Sequence, residues 1–185
     1  MCKVVPATWP QGGSDYSVRM TLNLASSAAV RIFAAEPPLP ALAAQDLVDA
    51  VQRLLLQFAR EGRCTNHHVE AQCGGRFVVI AWEGPPLSGC SHDKIGQVIA
   101  HHELRHAVSL INAPPIALGP QNAIQLVDRA GLRALLATQQ ADGATPVWNV
   151  QALTVGAWQL SPQPLATTHL ARLLRSSSAA LGAPL

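Results

Sequence analysis

Two glycines, Gly74 and Gly75, separate the β-prone runs His67 to Cys73 and Arg76 to Trp82. Glycine accepts positive φ at no steric cost, so the pair suits a two-residue hairpin turn. That turn sets Ala71 opposite Val78 and Val69 opposite Ile80, which gives one apolar face. A chain holding this hairpin must supply elements that cover it.

The flanking sequence supplies them. Ala28 to Ala34 is short and partly β-branched, as a strand is, and Pro37, Pro38 and Pro40 break it. From Ala41 to Arg60 the residues Leu47, Val51, Leu54, Leu55 and Phe58 recur at helical spacing, with Gly62 as a stop. A second helix is predicted from Ser91 to Ile111, with Ile95, Val98, Ile99, His102 and Leu110 inward. Asn112 and Pro114-Pro115 end it. A second hairpin is predicted at Ile116 to Leu118 and Ala123 to Val127. Then come an Asp128-capped helix over Arg129 to Gln139, a strand at Val147 to Val150 and a helical turn at Thr154 to Trp158.

The order β-α-β-β-α-β over residues 28 to 127 is that of a split βαβ unit. The expected class is therefore α+β: a ferredoxin-like antiparallel sheet with two main helices on one face and a small C-terminal α/β appendage. The expected divisions are a tail at 1–26, the core at 27–127, a helix-strand-helix unit at 128–175 and a tail at 176–185.

Composition narrows the function classes. The 185 residues are 49% hydrophobic and 13% charged, which supports a core and excludes a solvated polymer. No apolar run approaches the length of a membrane span. The net charge is +2, from eleven Arg and two Lys placed singly, with no basic block of the kind that neutralises phosphates. No nucleic-acid partner and no membrane insertion are expected. A protein or small-molecule partner is, and a homodimer is an assembly open to it. Cys2, Cys64, Cys73 and Cys90 form no C-x-x-C pair, and the first residues lack signal-peptide regions. The expected location is cytoplasmic, with reduced thiols. Met20 is an alternative start.

His102-Glu103-Leu104-Arg105-His106 is an H-E-x-x-H pattern on a predicted helix. Histidines at i and i+4 share a face and suit Zn²⁺, with Glu103 as general base for a bound water. Against a zinc hydrolase stand Arg105 beside the metal position and the lack of a usual third ligand. No Glu follows Glu103, so Asp128, His92 or His169 would have to serve. The plainer reading is a polar helix face, and no cofactor is expected, with zinc the alternative. A mixed site from Cys64, His67, Cys73 and Cys90 ranks lower.

Ser88-Gly89-Cys90-Ser91-His92-Asp93-Lys94 occupies a strand-loop-helix junction. Ser91 is the expected N-cap, with Asp93 in the first turn complementing the dipole. Cys90, just ahead of that end, could gain nucleophilicity from backbone N–H groups and His92. The plain alternative is a tight turn with a small residue. No G-x-x-x-x-G-K-[ST], G-x-G-x-x-G or G-x-S-x-G occurs, so P-loop and α/β-hydrolase chemistry have no support.

The succession of Arg76 to Ile80, the Ser88 to Lys94 segment, Val147-Trp148-Asn149, Thr154 to Trp158 and His169-Leu170-Ala171-Arg172 resembles a family of small bacterial proteins of uncharacterised function. Members carry an S-G-C-S-I-D segment and a closing W-H-A-R, and are often labelled ABC transporter ATPase without a Walker motif. Residues 28 to 174 take part in the likeness. His92 replaces the family's aliphatic residue, Thr168 to Arg172 only approximates the closing motif, and H-E-x-x-H is not a family feature. The resemblance points to Cys90, Ser91, Asp93, His169 and Arg172 as site positions that should approach one another. It implies no activity, and the missing phosphate cradle argues against the ATPase label. Asp128 to Trp158 also resembles a GYF-like adaptor segment, although Trp148 and Trp158 as plain core residues is the favoured reading. The leading function is a non-enzymatic binding or interaction protein. A thiol enzyme or redox sensor using Cys90 is second, and a zinc hydrolase third.

Overall fold

The computed structural model describes residues 23–112 and 116–174. Along the chain lie β1 (Ala29–Glu36), α1 (Ala41–Arg60), β2 (Asn66–Gln72), β3 (Phe77–Glu83), α2 (Gly89–His106) and β4 (Ser109–Asn112). They are followed by β5 (Ile116–Leu118), β6 (Gln125–Val127), α3 (Arg129–Ala137), β7 (Pro146–Trp148), α4 (Val155–Gln159) and β8 (Gln163–Pro164). The class is α+β, with two antiparallel sheets. The chain forms two compact units, residues 23–112 with 149–160, and 116–148 with 161–174. Most of the expected tails, 1–26 and 176–185, lies outside the described residues.

In the first unit the strands run in the order β2-β3-β1-β4. Val69 pairs with Ile80 and Ala71 with Val78, the register expected from the glycine pair. The turn is longer than two residues. The last pair is Gln72 with Phe77, and Cys73, Gly74 and Gly75 all take positive φ. Gly75 is required by a close approach: Leu39 N–H donates to its carbonyl at 3.0 Å, and a Cβ there would strike the Leu39 carbonyl.

Helix α1 has the expected bounds. Its Pro40 N-cap offers no side-chain hydrogen bond, whereas Leu47, Val51, Leu55 and Phe58 are fully buried. A cap contributes about 1 kcal/mol and each buried apolar side chain about 1.5–3 kcal/mol, so packing dominates. These residues and Ile95 and Ile99 of α2 meet Phe33, Val69, Val78, Ile80 and Leu110 on one sheet face.

Two expectations are corrected. Helix α2 runs from Gly89 to His106, not Ser91 to Ile111. It stops because Ala107 turns left-handed (φ 52°, ψ 42°) and the apolar stretch beyond it extends as β4 beside β1. The hairpin at 116–127 therefore does not supply the fourth strand of the first sheet. Ile116–Leu118 pairs instead with β6 and β7 in a separate sheet ordered β6-β5-β7-β8. The sheet face opposite the helices is buried as well: Ile32, Ala34, Phe77, Val79 and Ala81 are all inaccessible or nearly so. Trp158 of α4 covers part of it, edge-on to Phe77 at 5.4 Å and donating through Nε1 to Gln72 Oε1 at 3.2 Å.

In the second unit Asp128 caps α3 as expected, accepting from Gly131 N–H at 2.6 Å. Leu118, Leu132, Leu136, Leu165 and Leu170 form its core. Trp148 is buried there, donating to the Gly119 carbonyl at 2.8 Å. Trp148 and Trp158 thus belong to different units, which separates the two halves of the adaptor-like segment.

Candidate functional site

Two places in the first unit gather side chains able to bind or react. The first is the start of α2. Ser88, not Ser91, is its N-cap: Ser88 Oγ accepts from Ser91 N–H at 3.3 Å. The helix consequently begins two residues earlier than expected. Ser91 falls inside the first turn and is fully buried, with its Oγ 3.1 Å from Ser88 Oγ and accepting from Arg63 Nη1 at 3.0 Å. Neither Ser91 nor Asp93 accepts the end N–H; Asp93 is exposed. Cys90 is exposed within the first turn.

His92, two residues after Cys90, is half-buried. Its ring stands 5.9 Å from Trp82 in an edge-on contact, and its Nδ1 lies 3.4 Å from Arg31 Nη1. Arg31 also stacks over Phe33 at 5.0 Å, and burial lowers its pKa. The 150–153 segment closes this corner, since Val30 N–H donates to the Leu153 carbonyl at 3.1 Å. Between them is an open cleft of about 530 Å³ lined by Val30, Arg31, Ile32, Trp82, His92 and residues 150–153. Sequence reading missed Arg31 and Trp82. The available signal was a lone cation inside the apolar run Ala28 to Ala35.

The second place is the groove between α1 and α2, about 640 Å³, lined by Asp46, Asp49, Lys94, His101, His102 and Arg105 among others. This groove runs beside the H-E-x-x-H helix, where a ferredoxin-like sheet offers no obvious cleft. His102 is buried and His106 partly so, and their rings stack at 4.3 Å. Burial first, then His106 and Arg105, lower the His102 pKa, against Asp46 and the Ala43 backbone. Glu103 points elsewhere: its Oε1 accepts from Leu110 N–H of β4 at 2.6 Å. It joins α2 to β4 and is not presented to the histidines as a base.

The remaining candidates each have their own setting. Cys64 is buried, with Sγ donating to the Leu55 carbonyl at 3.8 Å and its pKa raised by burial. Cys73 is pushed up to about 12 by burial and by Glu70. Among the described residues no group of three His, Cys, Asp or Glu side chains stands arranged to hold a metal. His169 and Arg172 are exposed and belong to the second unit, whereas Cys90, Ser91 and Asp93 belong to the first.

No helix among the described residues is long and apolar enough to cross a membrane. No family profile, curated protein or solved structure matches this chain.

Proposed function

We propose that this chain is a non-enzymatic binding protein whose first unit takes up a small anion with an apolar, preferably aromatic, body. The cleft at Trp82, His92 and Arg31 is the observation that carries this. Its lining is mostly apolar, as in ligand pockets, and two of its polar groups lie together, Arg31 Nη1 being 3.4 Å from His92 Nδ1. The aromatic body would lie against Trp82, and the anion would meet Arg31 and His92. The engagement of Ser91 with Ser88 and Arg63, and of Glu103 with Leu110, favours binding over catalysis.

Within the same proposal the protein is cytoplasmic and related to the small bacterial family with the S-G-C-S-x-D segment, with no nucleic-acid partner. A ferredoxin-like, split β-α-β topology of the first sheet is supported by its element order and by the strand order β2-β3-β1-β4.

Anilinonaphthalene sulfonate, an aromatic sulfonate, tests the cleft by its fluorescence. A charge-assisted hydrogen bond contributes about 1.5–3 kcal/mol, roughly tenfold or more in affinity. Arg31→Gln should therefore weaken the probe by that factor, and Cys90→Ser should leave it unchanged. Equal affinity in wild type and Arg31→Gln contradicts the proposal.

The exposure of Cys90 in the first turn of α2 favours one second reading, a thiol-dependent enzyme or redox sensor. An alkylation rate for Cys90 that follows only the free-thiol titration would sink it.

A further inference from the structure

Two buried nitrogens between α1 and α2 lack what buried nitrogens need. Nε2 of His102 and Nε2 of His106 are both shielded from solvent and have no hydrogen-bond partner. His102 is only 5% exposed. A buried polar atom left unpaired is destabilising and asks for a missing partner, such as an ion. His67 Nδ1 and His68 Nε2 also lack a hydrogen bond, but they are neighbours on a strand, whose side chains point to opposite faces, and Glu70 Oε2 stands 3.6 Å from His68 Nε2. The two helical imidazoles face each other, one turn apart, with ring centroids 4.3 Å apart and planes 36° from parallel. A carboxylate from the facing helix completes the picture: Asp46 Oδ2 of α1 lies 4.0 Å from His106 Nε2.

We propose that His102, His106 and Asp46 form a divalent transition-metal site, with Zn²⁺ the fitting ion, that clamps α1 to α2. Two imidazoles and a carboxylate are zinc ligands, and a water would take the fourth position of a tetrahedron. With metal–ligand bonds of about 2.0–2.1 Å, ligand atoms in a tetrahedron stand roughly 3.4 Å apart. The Asp46–His106 separation exceeds that by about 0.6 Å, within reach of a small rotation of the half-exposed Asp46 side chain. The groove provides the path from solvent, and Asp49 adds negative charge along it. Arg53, Lys94 and Arg105 in the same groove oppose the cation. Glu103, held by Leu110 N–H, gives the site no general base, so the role is binding and bracing rather than hydrolysis. The third ligand thus comes from α1, and none of Asp128, His92 or His169 is invoked.

The test uses the full chain, stripped of metal and titrated with Zn²⁺ by calorimetry and with Co²⁺ by absorption. Wild type should bind equimolar Zn²⁺ at micromolar concentration or below, and Co²⁺ should give a tetrahedral visible band without a thiolate charge-transfer band. Loss of an outer-shell partner already weakens metal sites roughly 10–100-fold, so Asp46→Asn and His106→Gln should each cost at least tenfold. Asp46 is on the surface, so its variant remains folded, which circular dichroism checks. Glu103→Gln should bind as wild type does. No binding at micromolar zinc, a thiolate band, or unchanged affinity in Asp46→Asn would each overturn the proposal.

Discussion

Glu103 shows how one contact decides between two roles. In a zinc peptidase the corresponding glutamate faces a metal-bound water. Here it accepts the backbone N–H of Leu110, itself buried, and so ties the end of α2 to the start of β4. Glu103→Ala should lower stability by about 1–3 kcal/mol, the penalty of a buried donor left unpaired, while Glu103→Gln keeps an acceptor and should lose less. Urea unfolding measures both. The thiols separate by the same kind of local environment. Cys90 is exposed, Cys64 is buried, and Cys73 is pushed up to about 12 by burial and Glu70. Because only a thiolate alkylates, peptide mapping after brief iodoacetamide treatment at about pH 8 should find Cys90 modified and Cys64 and Cys73 modified only on unfolding. His67 adds a pH dependence. Burial, then His68, lower its pKa below the ordinary 6.5, so the folded state binds fewer protons than the unfolded state in that window. Stability contributed by neutral His67 is present above 6.5 and falls as pH drops through the lowered value. His102 acts in the same direction. In metal-free buffer the urea midpoint should fall between about pH 7.5 and 5.5, and His67→Asn should fall less.

Among elements, α1 and the β2–β3 register were legible because each rests on a strong local period. Leu47, Val51, Leu55 and Phe58 mark one helical stripe, and Val69, Ala71, Val78 and Ile80 one strand face. The end of α2 was not legible. Ala107 adopts a left-handed conformation that alanine seldom takes, and only the pairing of Ser109–Asn112 with β1 repays it. No local signal announces that pairing. A glycine pair favours a two-residue turn between β2 and β3; with Leu39 docked against Gly75 the turn is longer. The two glycines should therefore differ. Gly75→Ala meets both positive φ and the Leu39 carbonyl, whereas Gly74→Ala meets positive φ with open space around it. Gly74→Ala should cost about 1 kcal/mol and Gly75→Ala clearly more, read as shifts in the urea midpoint.

For the molecule as a whole, the sequence order of elements misleads about what packs with what. Residues 149–160 follow the first strands of the second unit, yet complete the first by laying Trp158 on Phe77 and pairing Leu153 with Val30. Such a return is set by which apolar surfaces remain uncovered, a property no window of sequence displays. The fully apolar run Phe77 to Trp82 hinted that both of its faces needed cover. Trp158→Ala should destabilise by about 3–5 kcal/mol, the range for removing a fully buried aromatic ring. The return also builds the cleft of the first unit, since residues 150–153 line it together with Arg31, Trp82 and His92. Cys90 and Ser91 were legible as a junction, but the cleft beside them was not, because part of its lining comes from far along the chain. The most direct test of a binding role is amide chemical-shift mapping of the full chain titrated with anilinonaphthalene sulfonate. The predicted result is a saturable set of shifts confined to β1, Trp82, His92 and residues 150–153. Shifts centred on the α1–α2 groove or on the second unit, or no saturable shifts, would contradict it.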